Sequence, residues 1–356
     1  MSITARLAIL PPGGTELELE TVNLPEPRPW EVVVEQRAFG ICHSQLDLID
    51  RPARTEPLVI GHESTGVVVA IGAEVTHVAP GDEVLLTWLP RLPRADRAPL
   101  SSRIPLPDGR VAVTHNVFAW GSHAVVDEQY LLKAPSGIAT DLSCVIGCAV
   151  MTGAGSVLNG ASDVAGRSVA VWGVGGVGLA SVGAAHALGA APIIAVDISV
   201  EKLGVARAMG ATHTIDARGE DAVAVIRDLT GGVGVDFGFD CTGVGPNVER
   251  SLAAVRSGVA GTSAGGSLVL VGAPRAPFEF NGMELLSKSK SMVGVLGGLC
   301  SPERDFPLFV DWATSGALNL EALVTARYSL EEINVGVADL RRGKILGRAV
   351  VELEHG

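Results

Sequence analysis

The sequence predicts an α/β chain in two parts, a barrel-like all-β unit followed by a doubly wound parallel-sheet unit. Three observations carry that expectation. Residues 1 to about 135 hold short Val-rich segments (LELETV, EVVVEQRAFG, STGVVVAIG, DEVLLTWL) broken by turns at PPGG, PEPRPW and APGDE. From Ser168 onward the pattern becomes strand, Gly-rich turn and helix, repeated. The length of 356 residues exceeds what one hydrophobic core usually serves.

In the first part, the short strands and regular turn signals suit a barrel of antiparallel strands. In the second, SVAVWGVGGVG reads as a strand and turn, ASVGAAHALGA as a helix, PIIAVDIS as a strand and VEKLGVARAMGA as a helix. HTIDA, VDFGFDCTG and GSLVLVGAP continue as strands, with DAVAVIRDLTGG and VERSLAAVRSG as the helices between them. Apolar strands alternating with helices mean a parallel sheet covered on both faces. The tail, from DFPLFVDWATSG to RAVVELE, reads as helix, loop, helix and strand. GVAGTSAGGS is a small-residue loop.

Composition narrows the function. The chain is 47% apolar and 19% charged, as globular proteins are, and carries a net charge of −12 without a local run of Lys or Arg. Phosphate neutralisation needs a basic face, so no nucleic-acid partner is expected. The longest apolar runs are Gly-rich and too short to span a bilayer, so no membrane partner is expected. The opening MSITARLAILPPGG enters a strand and turn after only four apolar residues, unlike a secretory leader. Five cysteines, an odd number without paired spacing, argue against a disulfide framework. The expected location is cytoplasmic, with reduced thiols.

A dinucleotide site is predicted at Gly173, Gly175 and Gly178, which form G-x-G-x-x-G between a Val-rich strand and an Ala-rich helix. Glycines there permit the tight turn and let the helix N-terminus approach a pyrophosphate. The next strand ends at Asp197, 19 residues after Gly178, placed to accept hydrogen bonds from ribose hydroxyls. A carboxylate there repels a 2′-phosphate, and the following ISVE supplies no Arg, so NAD is favoured over NADP. Lys202 is the first cation able to reach the ribose. A helix N-cap would also need a residue of the Asp197 type.

A metal site is predicted at Cys42 (GICHSQ), His62 (VIGHESTG) and Cys148 (VIGCAVMTGAG). Catalytic zinc takes three protein ligands and keeps one open position. His62 and Cys148 directly follow a glycine that ends an apolar segment, Cys42 stands two residues after Gly40, and Cys148 lies where the two patterns meet. That junction is where a Lewis acid for hydride transfer belongs. Spacing alone leaves another reading open, three isolated core residues, since free Cys is often buried. Cys144, Cys241 and Cys300 read as structural.

Together, LPEPRPWEVVV, GICHS, GHESTGVV, APGDEV, GCAVMTGAGSVLN, GVGGVG, AVD, DCTG, VGAP and LVTARYSLEEIN resemble the zinc-dependent alcohol dehydrogenases of the medium-chain dehydrogenase/reductase superfamily. GCAVMTGAGSVLN looks closest to the aryl-alcohol dehydrogenase branch. The resemblance covers nearly the whole chain. It implies a GroES-like β-barrel catalytic domain (1–149 and 297–356) around a Rossmann domain (150–296). It implies zinc on Cys42, His62 and Cys148, with Glu63 as the acidic neighbour able to approach the metal. It makes Ser44 the hydroxyl that takes the alcohol proton. His43 and Arg348 fall on pyrophosphate contacts, Thr152 and Val177 on nicotinamide contacts, Gly176 and Val271 on the cofactor turns, and Trp88 on a substrate-pocket aromatic. Homodimers or homotetramers through the cofactor-sheet edge near SMVGVLGG are also implied.

Three departures from the family pattern matter. The segment WLPRLPRADRAPLSSRIPLPDGRVAVTHNVFAW has none of the four cysteines of the family's structural zinc lobe. One catalytic zinc per subunit, no structural zinc and a Pro-rich loop are therefore expected. Gln45 replaces an Asp that hydrogen-bonds the ligand histidine; its amide oxygen is expected to orient His62, and Gln45→Asp to tighten zinc binding. Asp47 replaces a relay histidine. The expected reaction is reversible hydride transfer between NAD(H) and an aryl, allylic or other bulky apolar alcohol and its aldehyde or ketone. Reduction of an activated C=C or C=N bond is the alternative, and a non-catalytic NAD-binding structural protein a more distant one.

Overall fold

The computed structural model describes residues 3–51, 54–92, 96–274 and 276–353. The chain divides into two compact units. The first comprises Met1–Cys148, Ser301–Pro307 and Val324–Gly356, and the second Ala149–Cys300 and Leu308–Leu323.

The first unit is organised around the strand Glu31–Ile41, whose run EVVVEQRAFGI is buried along most of its length. Such a run fits a strand covered on both faces. It pairs antiparallel with Ser64–Ile71. On its other edge, residues 31–35 pair with His123–Asp127 and residues 38–41 with the C-terminal strand Arg348–Glu352. Val324–Tyr328 adds in parallel beyond that strand, and Glu83–Leu86 and Leu131–Lys133 complete the seven strands. Ala349 lies opposite Ile41, so Arg348 and Cys42 leave the sheet side by side. A chain end far away in sequence is thus part of the site's floor.

A second, five-stranded sheet in this unit runs Glu18–Asn23, Thr4–Leu10, Leu58–Val59, Val111–Val113, Arg103–Pro105. Its last two strands correct the expectation of a Pro-rich loop after Trp88. They form an antiparallel hairpin, with Ile104 opposite Ala112. Both are buried, whereas Arg103 and Pro105 face outward. Asp108-Gly109 turns the chain, Gly109 having φ +88°. Arg97, Leu100 and Ser102 tie the segment down: Arg97 Nη2 donates to Asp127 Oδ1 at 2.9 Å, Leu100 N to Asp127 Oδ2 at 2.9 Å, and Ser102 Oγ to Val125 O. The Arg97 guanidinium also stacks 4.6 Å from the centroid of Trp30. Cation, aromatic face and backbone donors are what anchor this cysteine-free segment.

The second unit is a six-stranded parallel sheet. Its order is His213–Asp216, Ile193–Asp197, Val169–Trp172, Phe237–Asp240, Ser267–Leu270, Ser291–Gly294. By chain position that is 3-2-1-4-5-6, the Rossmann order, with its switch point between Val169–Trp172 and Phe237–Asp240. The helix Gly176–Ala187 follows the first strand and is buried over most of its length. Its small residues allow that close seat on the sheet. Among the described residues, no single helix is long and apolar enough to cross a membrane.

Candidate active site

Cys42, His62 and Cys148 come together inside the first unit, their ligand atoms all within 4.8 Å of one another. Cys42 ends the central strand and precedes the helix His43–Ile49. Close backbone approach at glycines lets the three converge. A Cβ on Gly61 would lie 2.4 Å from Trp120 Cδ1, and one on Gly147 2.1 Å from Leu86 O. Gly61 also has φ +100°, open only to glycine in practice. Trp120 is fixed in turn by its Nε1–H donation to Gly40 O at 3.1 Å.

The donors fit a tetrahedral metal. The two sulfurs are 3.9 Å apart, and His62 Nε2 is 3.2 Å from Cys148 Sγ. With zinc–ligand bonds of about 2.3 Å to sulfur and about 2.0 Å to nitrogen, tetrahedral geometry requires separations of about 3.8 Å and about 3.5 Å. Two thiolates and one imidazole are a donor set suited to zinc, and three protein ligands leave a fourth position.

Charge in the cluster favours thiolate at Cys42 and thiol at Cys148. The hydrogen bond from Cys148 holds the Cys42 thiol well below its ordinary value, against the opposing effect of burial, with the Arg348 cation adding attraction. That same hydrogen bond and burial push Cys148 up. Burial works against the Arg348 cation, but Cys42, Glu63 and Cys148 hold it charged. Arg348 pairs with Glu63, and both are almost wholly buried. Glu63 is thus turned toward Arg348, outside the three clustered donors. Cys144, pushed up by burial, donates to Asp141 O at 3.2 Å and stays out of the cluster.

Ser44 and His43 are exposed on the helix that starts after Cys42, and Ser44 Oγ donates to Cys42 Sγ at 3.3 Å. Gln45 departs from expectation. Its amide oxygen accepts from Gly61 N at 2.8 Å, and its NH2 group faces His62 Nδ1 at 2.7 Å. The oxygen that was to orient His62 is taken by the backbone. A small cleft of about 30 Å³ lies beside the pair, lined by Leu48, Leu58, Ile60, Thr114, His115 and Asn116. Trp88 is half-buried against the first unit's core and does not line that cleft.

In the second unit, Gly173 has φ +81°, and a Cβ on Gly178 would lie 2.0 Å from Gly173 O. Gly175 is the N-cap of the helix that begins at Gly176. Asp197 joins the second strand to this turn, accepting from Val174 N at 2.8 Å and Ser199 N at 2.9 Å. The N-cap role on the next helix falls to Ser199, which accepts from Lys202 N. Thr152 lies at the start of the helix Ala149–Gly160, where its neighbour Gly153 packs against Val177 O. Val271 follows the strand Ser267–Leu270 and donates its N–H to Asp240 O at 2.9 Å. The turn residues and the acid therefore meet at the switch point.

Comparison with known proteins agrees with this geometry. The alcohol dehydrogenase GroES-like domain family matches residues 28–136, and the zinc-binding dehydrogenase family residues 176–315. Geraniol dehydrogenase of Castellaniella defragrans is 30% identical, over 98% of each chain. The chain belongs to the zinc-type alcohol dehydrogenases of the medium-chain superfamily. Two solved structures share its fold throughout. An alcohol dehydrogenase zinc-binding domain protein from Burkholderia ambifaria superposes with a TM-score of 0.89 at 30% identity, covering 100% of both chains. Benzyl alcohol dehydrogenase from Acinetobacter calcoaceticus gives 0.87 at 28% identity, covering 99% of this chain and 100% of that one.

Within this alcohol dehydrogenase, sequence reasoning missed two features. The DG turn flanked by short apolar alternation (IPLPDGRVAV) was the readable signal for the hairpin. The Arg348–Glu63 pair had no local signal, because the two residues are brought together only by the pairing of Ile41 with Ala349.

Proposed function

We propose that this alcohol dehydrogenase uses one zinc ion on Cys42, His62 and Cys148 and NAD(H) on the glycine turn, and oxidises aryl, allylic or other bulky apolar alcohols reversibly. The observation that carries the reading is the cluster itself, three soft donors within 4.8 Å beside an exposed serine hydroxyl. When bound, zinc supplies a Lewis acid that lowers a hydroxyl pKa from about 16 toward about 7, and NAD supplies the hydride acceptor.

The chain's own residues do the rest. Ser44 Oγ, exposed and two residues from a ligand, takes the hydroxyl proton and hands it to solvent. Thr152 and Val177, on adjoining helix starts, hold the nicotinamide end. Asp197 holds the ribose, and its charge selects NAD over NADP. The buried Arg348 cation steadies the thiolate charge of the cluster. Relatives named for geraniol and benzyl alcohol support the aryl and allylic substrate class. A homodimer or homotetramer in the cytoplasm, with no nucleic-acid or membrane partner, completes the proposal.

The test is metal analysis together with initial rates on benzylic, allylic, aliphatic and secondary alcohols, each with NAD and with NADP. One zinc per chain and NAD-linked oxidation of the first two classes is the expected result. A preparation that holds no zinc and oxidises none of these alcohols overturns the proposal. An enal in the panel separates the C=C reductase alternative, since 1,4-reduction leaves the aldehyde intact.

A further inference from the structure

The hydrogen bonds around His62 do not yet suit a metal ligand. A backbone N–H can only donate, so Gly61 fixes the Gln45 oxygen toward itself, at 2.8 Å. The amide NH2 is left facing His62 Nδ1 at 2.7 Å, and it too can only donate. Nδ1 therefore accepts, and the imidazole proton sits on Nε2, pointing at Cys148 Sγ 3.2 Å away. A metal on Nε2 needs that nitrogen bare and the proton on Nδ1, where it would meet the NH2 group donor to donor. A half-turn of the amide cures that contact and creates the same conflict at Gly61. One amide oxygen cannot serve donors at opposite ends of the group. Nor can Gly61 step aside, since its backbone is packed on the Trp120 ring. The cleft lined by Gln45, Gly61 and His62 gives solvent access to whichever donor is released.

We propose that metal loading in this chain is coupled to a half-turn of the Gln45 amide. Without metal, the oxygen holds Gly61 N–H and His62 is the Nε2–H tautomer. With metal, one proton leaves Nε2 for solvent, one is taken up on Nδ1, the oxygen turns to Nδ1–H, and Gly61 N–H is released into the cleft. Gln45 is a positioning residue whose orientation follows the loading state. The inference rests on the zinc reading above and deepens it. It also singles out Gln45→Glu, which keeps the side-chain length but offers two acceptor oxygens. That carboxylate serves both donors without turning.

The test uses the full chain, stripped of metal and then reloaded with zinc alone. Hydrogen exchange at the Gly61 amide is expected to quicken about tenfold on loading, against the general slowing that ligand binding brings. By chelator competition, Gln45→Glu is expected to bind zinc about tenfold more tightly or better. In that variant the Gly61 amide stays protected in both states. Exchange in the wild-type chain needs no variant and so is independent of any folding defect. Equal or greater protection of Gly61 in the loaded wild-type chain, or unchanged affinity in Gln45→Glu, overturns the inference while leaving the zinc reading intact. A wild-type chain that takes up no zinc overturns both.

Discussion

Ser44 and Arg348 show how single side chains divide the work of the cluster. Ser44 is exposed and meets the cluster through its Oγ–H donation to Cys42 Sγ, so its removal leaves Cys42, His62 and Cys148 in place. Ser44→Ala is expected to lower kcat for alcohol oxidation by about 10²- to 10⁴-fold, the range for a positioned proton acceptor, with zinc content unchanged. Loss of zinc together with activity would assign Ser44 a structural role instead. Arg348→Met acts differently, because it leaves the Glu63 carboxylate buried without its cation. The expected cost is about 3 kcal/mol or more in denaturant unfolding, and an unchanged midpoint would remove the pair from the account. Sequence reasoning named Cys42, His62 and Cys148, which the structure brings together, but only their joint match to a family pattern singled them out from isolated core residues. It could not reach the direction of the Gln45 amide, which is decided by a backbone N–H sixteen residues away.

The segment from Trp88 to Trp120 shows the same contrast between elements. Its lack of cysteine was plain in the sequence, and that excluded a four-thiolate metal lobe. What replaces it depends on Asp127, a distant residue whose carboxylate gathers Arg97, Leu100 N and Gln129 N. Burial alone would raise the Asp127 pKa, but the Arg97 hydrogen bond and the two backbone donors outweigh it and hold it below its ordinary value. A carboxylate with a depressed folded pKa adds stability that is complete above its unfolded value of about 4 and is lost as pH falls through the folded value. Arg97→Met leaves burial less opposed, so the folded pKa rises. Asp127 then contributes less to the loss of stability in acid: stability at pH 7 should fall by about 3 kcal/mol, and that deficit should narrow as pH drops below about 4. Urea unfolding at pH 7 and at about pH 3 measures both effects. A deficit of the same size at both pH values would refute the anchoring role of the pair.

At the scale of the whole molecule, the two chemistries belong to separate parts of the chain. Cys42, His62 and Cys148 all lie in the first unit, and Gly173, Gly178 and Asp197 all lie in the second. The strand order of the second unit, 3-2-1-4-5-6, was legible as a repeated strand–turn–helix texture, since each of its elements is local. The first unit was legible only as a set of short strands, because its central strand pairs with partners from three distant parts of the chain. If each unit holds its own ligand, binding of one should survive loss of the other. Cys42→Ser, with a thiolate donor removed, is expected to lose zinc and all alcohol oxidation. Its NADH affinity, followed by nicotinamide fluorescence, should stay within about threefold of wild type, a change below about 0.7 kcal/mol. Asp197→Ala should do the reverse, keeping one zinc per chain while weakening NADH by about tenfold and narrowing the preference over NADPH. NADH binding that disappears with zinc in Cys42→Ser would mean that the dinucleotide turn is not a complete site within its own unit. The metal would then have to be counted among the groups that hold the cofactor.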